Sequence, residues 1–199
     1  MPKPWRRSTI LKPVRTDPES LSEGDGDRVT VAVWDPFVRL FHWSIVASFA
    51  VAWFSAARWD DLHEWAGYAA AFLVAFRMVW GLVGTRHARF SDFVYSPSSV
   101  VSYLRDISVR REARYLGHNP AGGAMILALL TAMSLTAFTG WLETTDEYFG
   151  VGWVQDTHSY AAHGMLALAA IHVGGVALAS FRHRENLVRA MITGRKRSL

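Results

Sequence analysis

The chain contains no cysteine. That absence excludes disulfides, cysteine-ligated iron–sulfur clusters and the Cys-x-x-Cys-His attachment of a c-type haem. The first thirty residues hold no apolar run. No cleavable signal peptide is therefore expected, and residues 1–32, rich in Pro, Ser, Asp and Arg, read as a disordered cytoplasmic tail. No internal repeat, Gly-rich phosphate loop or nucleophile–base pair stands out. Basic residues are also nearly missing from two regions. Of the 21 Lys and Arg, only Arg58 falls in the short loops that follow the first and third apolar blocks.

What is present is apolar sequence in long runs. Phe37–Ala57, Trp65–Val83, Ala121–Leu142 and Tyr160–Phe181 each approach the ~20 residues that cross a bilayer core. The expected fold is therefore all-α: an integral membrane four-helix bundle spanning 33–191, followed by a basic cytoplasmic tail at 192–199. Arg and Lys gather in the tails and in the central loop, from about Thr85 to Pro120. Acidic residues line the short loops: Asp60, Asp61 and Glu64 in one, Glu143, Asp146, Glu147 and Asp156 in the other. The positive-inside rule then puts both termini and the central loop in the cytoplasm. The formal charge of +4 follows from this topology, so no nucleic-acid partner is expected. Membrane lipid is.

Several boundaries are readable. Asp35-Pro36 starts the first helix, with Pro just inside it. The second begins near His63 and ends near Gly84. Ser96-Pro97 opens a short amphipathic helix that either rests on the membrane surface or merely connects. An outer loop of about fifteen residues, including Phe149 and Trp153, is expected before the fourth helix.

Ionisable residues at membrane depth are functional candidates. Of the eight histidines, His87, His118 and His183 read as solvated or interfacial. His42 lies in the first turns of helix one, and His63 and His158 at the outer starts of helices two and four. His172 lies further down helix four. From His158 to His172 an α-helix rises about 21 Å and makes about four turns less some 40°, so the two share a face at two depths. Depth pairs His63 with His158 and His42 with His172. Facing neutral imidazoles suit bis-histidine haem iron. A transition-metal site in a transporter is the alternative, although its ligands would cluster at one depth. His163 turns about 140° to 180° away from both helix-four partners and is expected to hydrogen-bond a neighbouring helix, with a replacement-ligand role as the other possibility.

Around these sites, Gly67 follows His63 by one turn. Gly174 and Gly175 follow His172, and Gly140 is near the outer end of helix three. They either make room for a porphyrin or let helices pack closely. Arg77 shares the face of His63 toward the cytoplasmic side. It either meets a haem propionate or snorkels to headgroups.

Along most of its length the chain resembles the prokaryotic cytochrome b561 family, which overlaps the b-type cytochrome subunits of nickel–iron hydrogenases. The matching elements are Val33-Trp-Asp-Pro-Phe-Val-Arg-Leu-Phe-His-Trp, Leu62-His-Glu-Trp-Ala-Gly-Tyr with Arg77, Tyr115-Leu-Gly-His-Asn-Pro-Ala-Gly-Gly, and His158 to His172 followed by Asn186. The resemblance implies two haems b held by His42, His63, His158 and His172, in a respiratory-chain cytochrome exchanging electrons between a quinone pool and a partner. The partner is a hydrogenase, a cytochrome c or a dehydrogenase; a homodimer is left open. The rival functions are a superoxide- or small-molecule-oxidising quinone reductase, and a metal transporter or non-haem membrane anchor. His118, Arg77 and the basic central loop are candidate contributors to a quinone contact.

Overall fold

The computed structural model describes residues 30–85, 88–113, 115 and 117–197. Most of residues 1–32, expected to be a disordered tail, lies outside them, as does His87. The described residues form seven helices and one two-stranded sheet: β1 (Thr30–Ala32), α1 (Pro36–Ser55), α2 (Asp60–Val83), α3 (Phe90–Phe93), α4 (Pro97–Ser108), α5 (Pro120–Glu143), α6 (Gly152–Arg182), α7 (Leu187–Thr193) and β2 (Arg195–Arg197). Of these, α1, α2, α5 and α6 are long and apolar enough to cross a membrane. Their large side chains point outward: Phe54 is 78% exposed, Phe72 71% and Phe181 84%. Continuous apolar surface of this kind suits lipid rather than water.

Helix starts follow the local chemistry. Asp35 caps α1 by accepting from the Phe37 amide at 2.7 Å, and Asn119 caps α5 by accepting from the Gly122 amide at 2.7 Å. Each cap is followed by Pro at the first helical position, where its missing N–H costs nothing. Asp60 and Asp61 lie in the first turn of α2, where carboxylates favour the helix dipole.

The long helices pack α1 on α2, α2 on α5 and α5 on α6. On α2 the buried stripe is Ala66, Ala70, Val74, Arg77 and Gly81, recurring at the three- and four-residue spacing of one helix face. Small residues there let the backbones approach. Ala70, Val74, Met133 and Met165 form the core, with Ile45 and Phe49 of α1 against it.

Two elements depart from the sequence reading. First, α6 begins at Gly152, so Trp153 and the turn before His158 are helical and the outer loop is shorter than expected. These opening turns are polar, and hydropathy does not detect a helix that rises above the apolar slab. Second, β1 and β2 pair antiparallel, Thr30 with Arg197 and Ala32 with Arg195, inside the two segments read as tails. Gly194, at φ +79, turns the chain from α7 into β2 and accepts at its carbonyl from the Val33 and Trp34 amides. The two ends of the described chain thus meet at one end of the helices, here the near end. The α1–α2 and α5–α6 turns form the far end. At the near end Arg182 donates to Glu112 at 2.7 Å and to the Ile107 carbonyl at 2.8 Å, tying the segment after α4 to α6. This hydrogen bond holds the Glu112 carboxyl below the usual carboxylate range.

Candidate functional site

Two layers of paired histidines lie between the long helices. In the far layer, His63 of α2 faces His158 of α6, with ring centroids 6.0 Å apart and planes at 81°. The Nδ1 of His63 is 2.8 Å from the carbonyl of Ala52 on α1. The Nδ1 of His158 is 3.0 Å from the carbonyl of Thr136 on α5 and 3.3 Å from the Thr139 hydroxyl. A carbonyl only accepts, so each Nδ1 carries a hydrogen, which leaves Nε2 as the ring nitrogen for a metal. Such backing fixes the ring and tautomer of a metal-binding histidine. Gly140 completes the arrangement: a Cβ there would lie 3.0 Å from Cε1 of His158.

In the near layer, His42 of α1 faces His172 of α6, with centroids 6.5 Å apart and planes at 57°. The Nδ1 of His42 is buried without a hydrogen-bond partner, and the ring meets Trp43 edge-on at 5.1 Å. Two imidazoles binding one metal from opposite sides at ordinary nitrogen–metal distances have centroids about 6 Å apart. Both layers match that spacing. Among the described residues, no group of three or more His, Asp or Glu gathers as a metal cluster.

Arg77 is 3% exposed. Its Cζ is 5.1 Å from the Phe90 ring centroid and 5.8 Å from that of Phe93, and its NH1 is buried without a partner. A buried, unpaired guanidinium nitrogen calls for an anionic acceptor, and a haem propionate fits. The snorkelling arrangement is not the one adopted, because α3 covers the side chain. At Gly67, Gly174 and Gly175 an added Cβ would meet nothing within 4 Å, and Gly174 and Gly175 are exposed, so none of the three is kept small by a close neighbour.

The remaining histidines separate. His163 is exposed. Its Nδ1 bonds the Ser159 carbonyl of its own helix at 2.7 Å, not a neighbouring helix as expected. A carbonyl one turn back lies within easy reach of the imidazole. The ring meets Trp53 of α1 edge-on at 5.4 Å. His118 is half-buried between Trp34 at 4.6 Å and Phe93 at 4.9 Å, rather than solvated. His183 ends α6. Sequence reasoning missed the Ala52 and Thr136 carbonyls, Thr139, Phe90 and Phe93. Backbone acceptors leave no trace in side-chain patterns. Only the Phe90–Phe93 spacing was there to be seen.

Facing imidazoles across membrane-length helices are a donor set that suits haem iron. A model of the family described as prokaryotic cytochrome b561 matches residues 33–194, and the chain belongs to that family. It is a multi-pass membrane protein of the electron-transfer class. Among curated proteins it is 25% identical, over 215 aligned positions covering 85% of this chain and 90% of that protein, to the "Probable Ni/Fe-hydrogenase B-type cytochrome subunit" of Rhizobium leguminosarum bv. viciae. A protein of the same description from Azotobacter chroococcum mcd 1 is 26% identical, with 88% of this chain and 94% of that protein covered. No solved structure matches the chain.

Proposed function

We propose that the protein is a di-haem b cytochrome of the bacterial inner membrane, passing electrons between a quinone pool and a redox partner protein. The observation that carries this reading is the pair of facing imidazoles at each of two levels, at 6.0 Å and 6.5 Å. His63 and His158 hold the far haem, and His42 and His172 the near one. Arg77 receives a near-haem propionate, and Gly67 clears space beside His63. The haems supply one-electron redox chemistry, while the helices supply ligation, position and electrostatics.

The four long helices act as one bundle with the near end cytoplasmic. Arg39, Arg105, Arg111, Arg184, Arg189 and Lys196 lie at that end. Among the described residues the far end carries Asp60, Asp61, Glu64, Asp146, Glu147 and Asp156 with only Arg58. A hydrogenase is the partner favoured by the descriptions of the relatives. The acidic far end disfavours an anionic small-molecule substrate such as superoxide.

Quinol-driven haem reduction tests the reading. Purified full-length protein in detergent, mixed with a soluble quinol, is expected to give a reduced-minus-oxidised haem b spectrum. A haem-loaded protein that a quinol leaves oxidised would refute the quinone link. A protein that binds no haem would refute the whole reading.

A further inference from the structure

Arg77 is held in an uncommon way. The face of α2 that buries Ala66, Ala70 and Val74 continues into this arginine, so packing forces its stem inward at the near end. A buried cation normally finds a carboxylate there. Here the Asp35 carboxylate acts on the guanidinium without forming an ion pair, being engaged by the Phe37 amide and the Thr85 hydroxyl. Phe90 and Phe93 lie side by side against the guanidinium at 5.1 Å and 5.8 Å, and one nitrogen is left unpartnered.

The rings come from α3, a single short turn whose Phe-Ser-Asp-Phe sequence puts both aromatics on one side. Two glycines admit this turn. A Cβ at Gly81 of α2 would run into the Phe90 ring, and a Cβ at Gly123 of α5 would run into the Phe93 carbonyl. Phe93 is 1% exposed and is backed by His118, which is backed in turn by Trp34. The turn is also anchored from behind, since Arg89 Nε donates to the Gly84 carbonyl at 2.6 Å.

An aromatic face holds a planar guanidinium in place and attracts its charge without neutralising it. A carboxylate in the same position would orient the group equally well but cancel its charge. The aromatic pair therefore fixes the guanidinium without pairing its charge, at the near end of α2.

We infer that α3 is a positioning clamp: Phe90 and Phe93, seated on Gly81 and Gly123, orient Arg77 so that its charge, in no ion pair with Asp35, acts on the carboxylate side of the near haem. The inference rests on the di-haem reading. A fixed cation favours the form with one more electron, so Arg77 raises the potential of the near haem and leaves the far haem unaffected.

The test is a two-component optical redox titration of the holoprotein, with the near haem identified as the component missing from His42→Ala. Arg77→Gln is expected to shift the near-haem redox equilibrium at least tenfold toward oxidised, about 59 mV for a one-electron couple, with the far haem unmoved. Phe90→Leu and Phe93→Leu, with Arg77 intact, are expected to shift it part of the way in the same direction. Phe90→Tyr, which keeps a ring, is expected to stay at the wild-type value. Leu variants with an unchanged near potential would overturn the clamp even if Arg77→Gln shifts it. Equal shifts in both haems would overturn the local role of Arg77. A wild-type protein with fewer than two haems would instead sink the di-haem reading, and the haem count separates that failure from the others.

Discussion

The two histidine layers use the same side chains and secure them differently. In the far layer each Nδ1 is bonded to a main-chain carbonyl of the adjoining helix, Ala52 for His63 and Thr136 for His158. In the near layer the His42 Nδ1 has no partner, and toward the same end of the helices a buried arginine lies against two phenylalanines. Backbone carbonyls cannot be removed by side-chain substitution. The far layer is thus preset by helix packing, whereas the near layer depends on side chains. The difference suggests a division of labour: a far site built for rigidity and a near site built for tuned charge.

The contrast breaks most sharply at the ligands. His42→Ala is expected to remove the near component of the haem spectrum, about half the absorbance, and to leave the far component intact. A loss of both would mean that the layers are not independent.

A smaller effect belongs to Gly140. A larger side chain there presses on the His158 ring, which sits 3.0 Å from the position of the missing Cβ. Gly140→Val is expected to weaken far-haem retention roughly tenfold, the scale of disturbing the groups that orient a metal ligand. Haem retained during dialysis against apomyoglobin measures it, with the near haem as internal control.

Thr139→Val probes the backing itself. The hydroxyl is only one of two acceptors at the His158 Nδ1, and the Thr136 carbonyl remains. The expected loss is about 1 kcal/mol or less in far-haem affinity. A larger loss would shift the weight of the far layer from backbone to side chain.

The smallest effect lies at the near end, at Glu112 and Arg182. The folded-state pKa of Glu112 is depressed, so the pair contributes stability that is complete above the ordinary carboxylate range. That stability is lost as pH falls through the depressed value. Acidification is expected to lower the Tm of the wild type more than that of Glu112→Gln, by an amount corresponding to about 1 kcal/mol or less. Parallel pH profiles would show that the pair does not clasp the loop.

Much of the architecture was legible because bilayer thickness and helix period are strong constraints. Four apolar blocks located α1, α2, α5 and α6, and the turn angle between His158 and His172 put them on one face. Depth alone paired each with its partner. The opening of α6 was not legible, since Val154 to Thr157 belong to a helix whose first turns stand outside the apolar run. Nor was the β1–β2 pairing, which joins three residues from each end of the described chain. Arg77 stood out as a buried cation, but its bracket is a matter of packing. Nothing in Gly81 or Gly123 taken singly announces that an aromatic ring or a carbonyl sits against it. Helix angle turned His163 away from the two pairs, and it lies exposed against Trp53, with the Ser159 carbonyl of its own helix as partner instead of a neighbouring helix.

The most direct test of the central claim is haem stoichiometry, measured by pyridine haemochrome per mole of chain, in the wild type, His158→Ala and His163→Ala. Two bis-histidine layers predict about two haems b in the wild type and in His163→Ala, and about one in His158→Ala. One haem in the wild type, or a loss in His163→Ala with none in His158→Ala, would contradict the assignment.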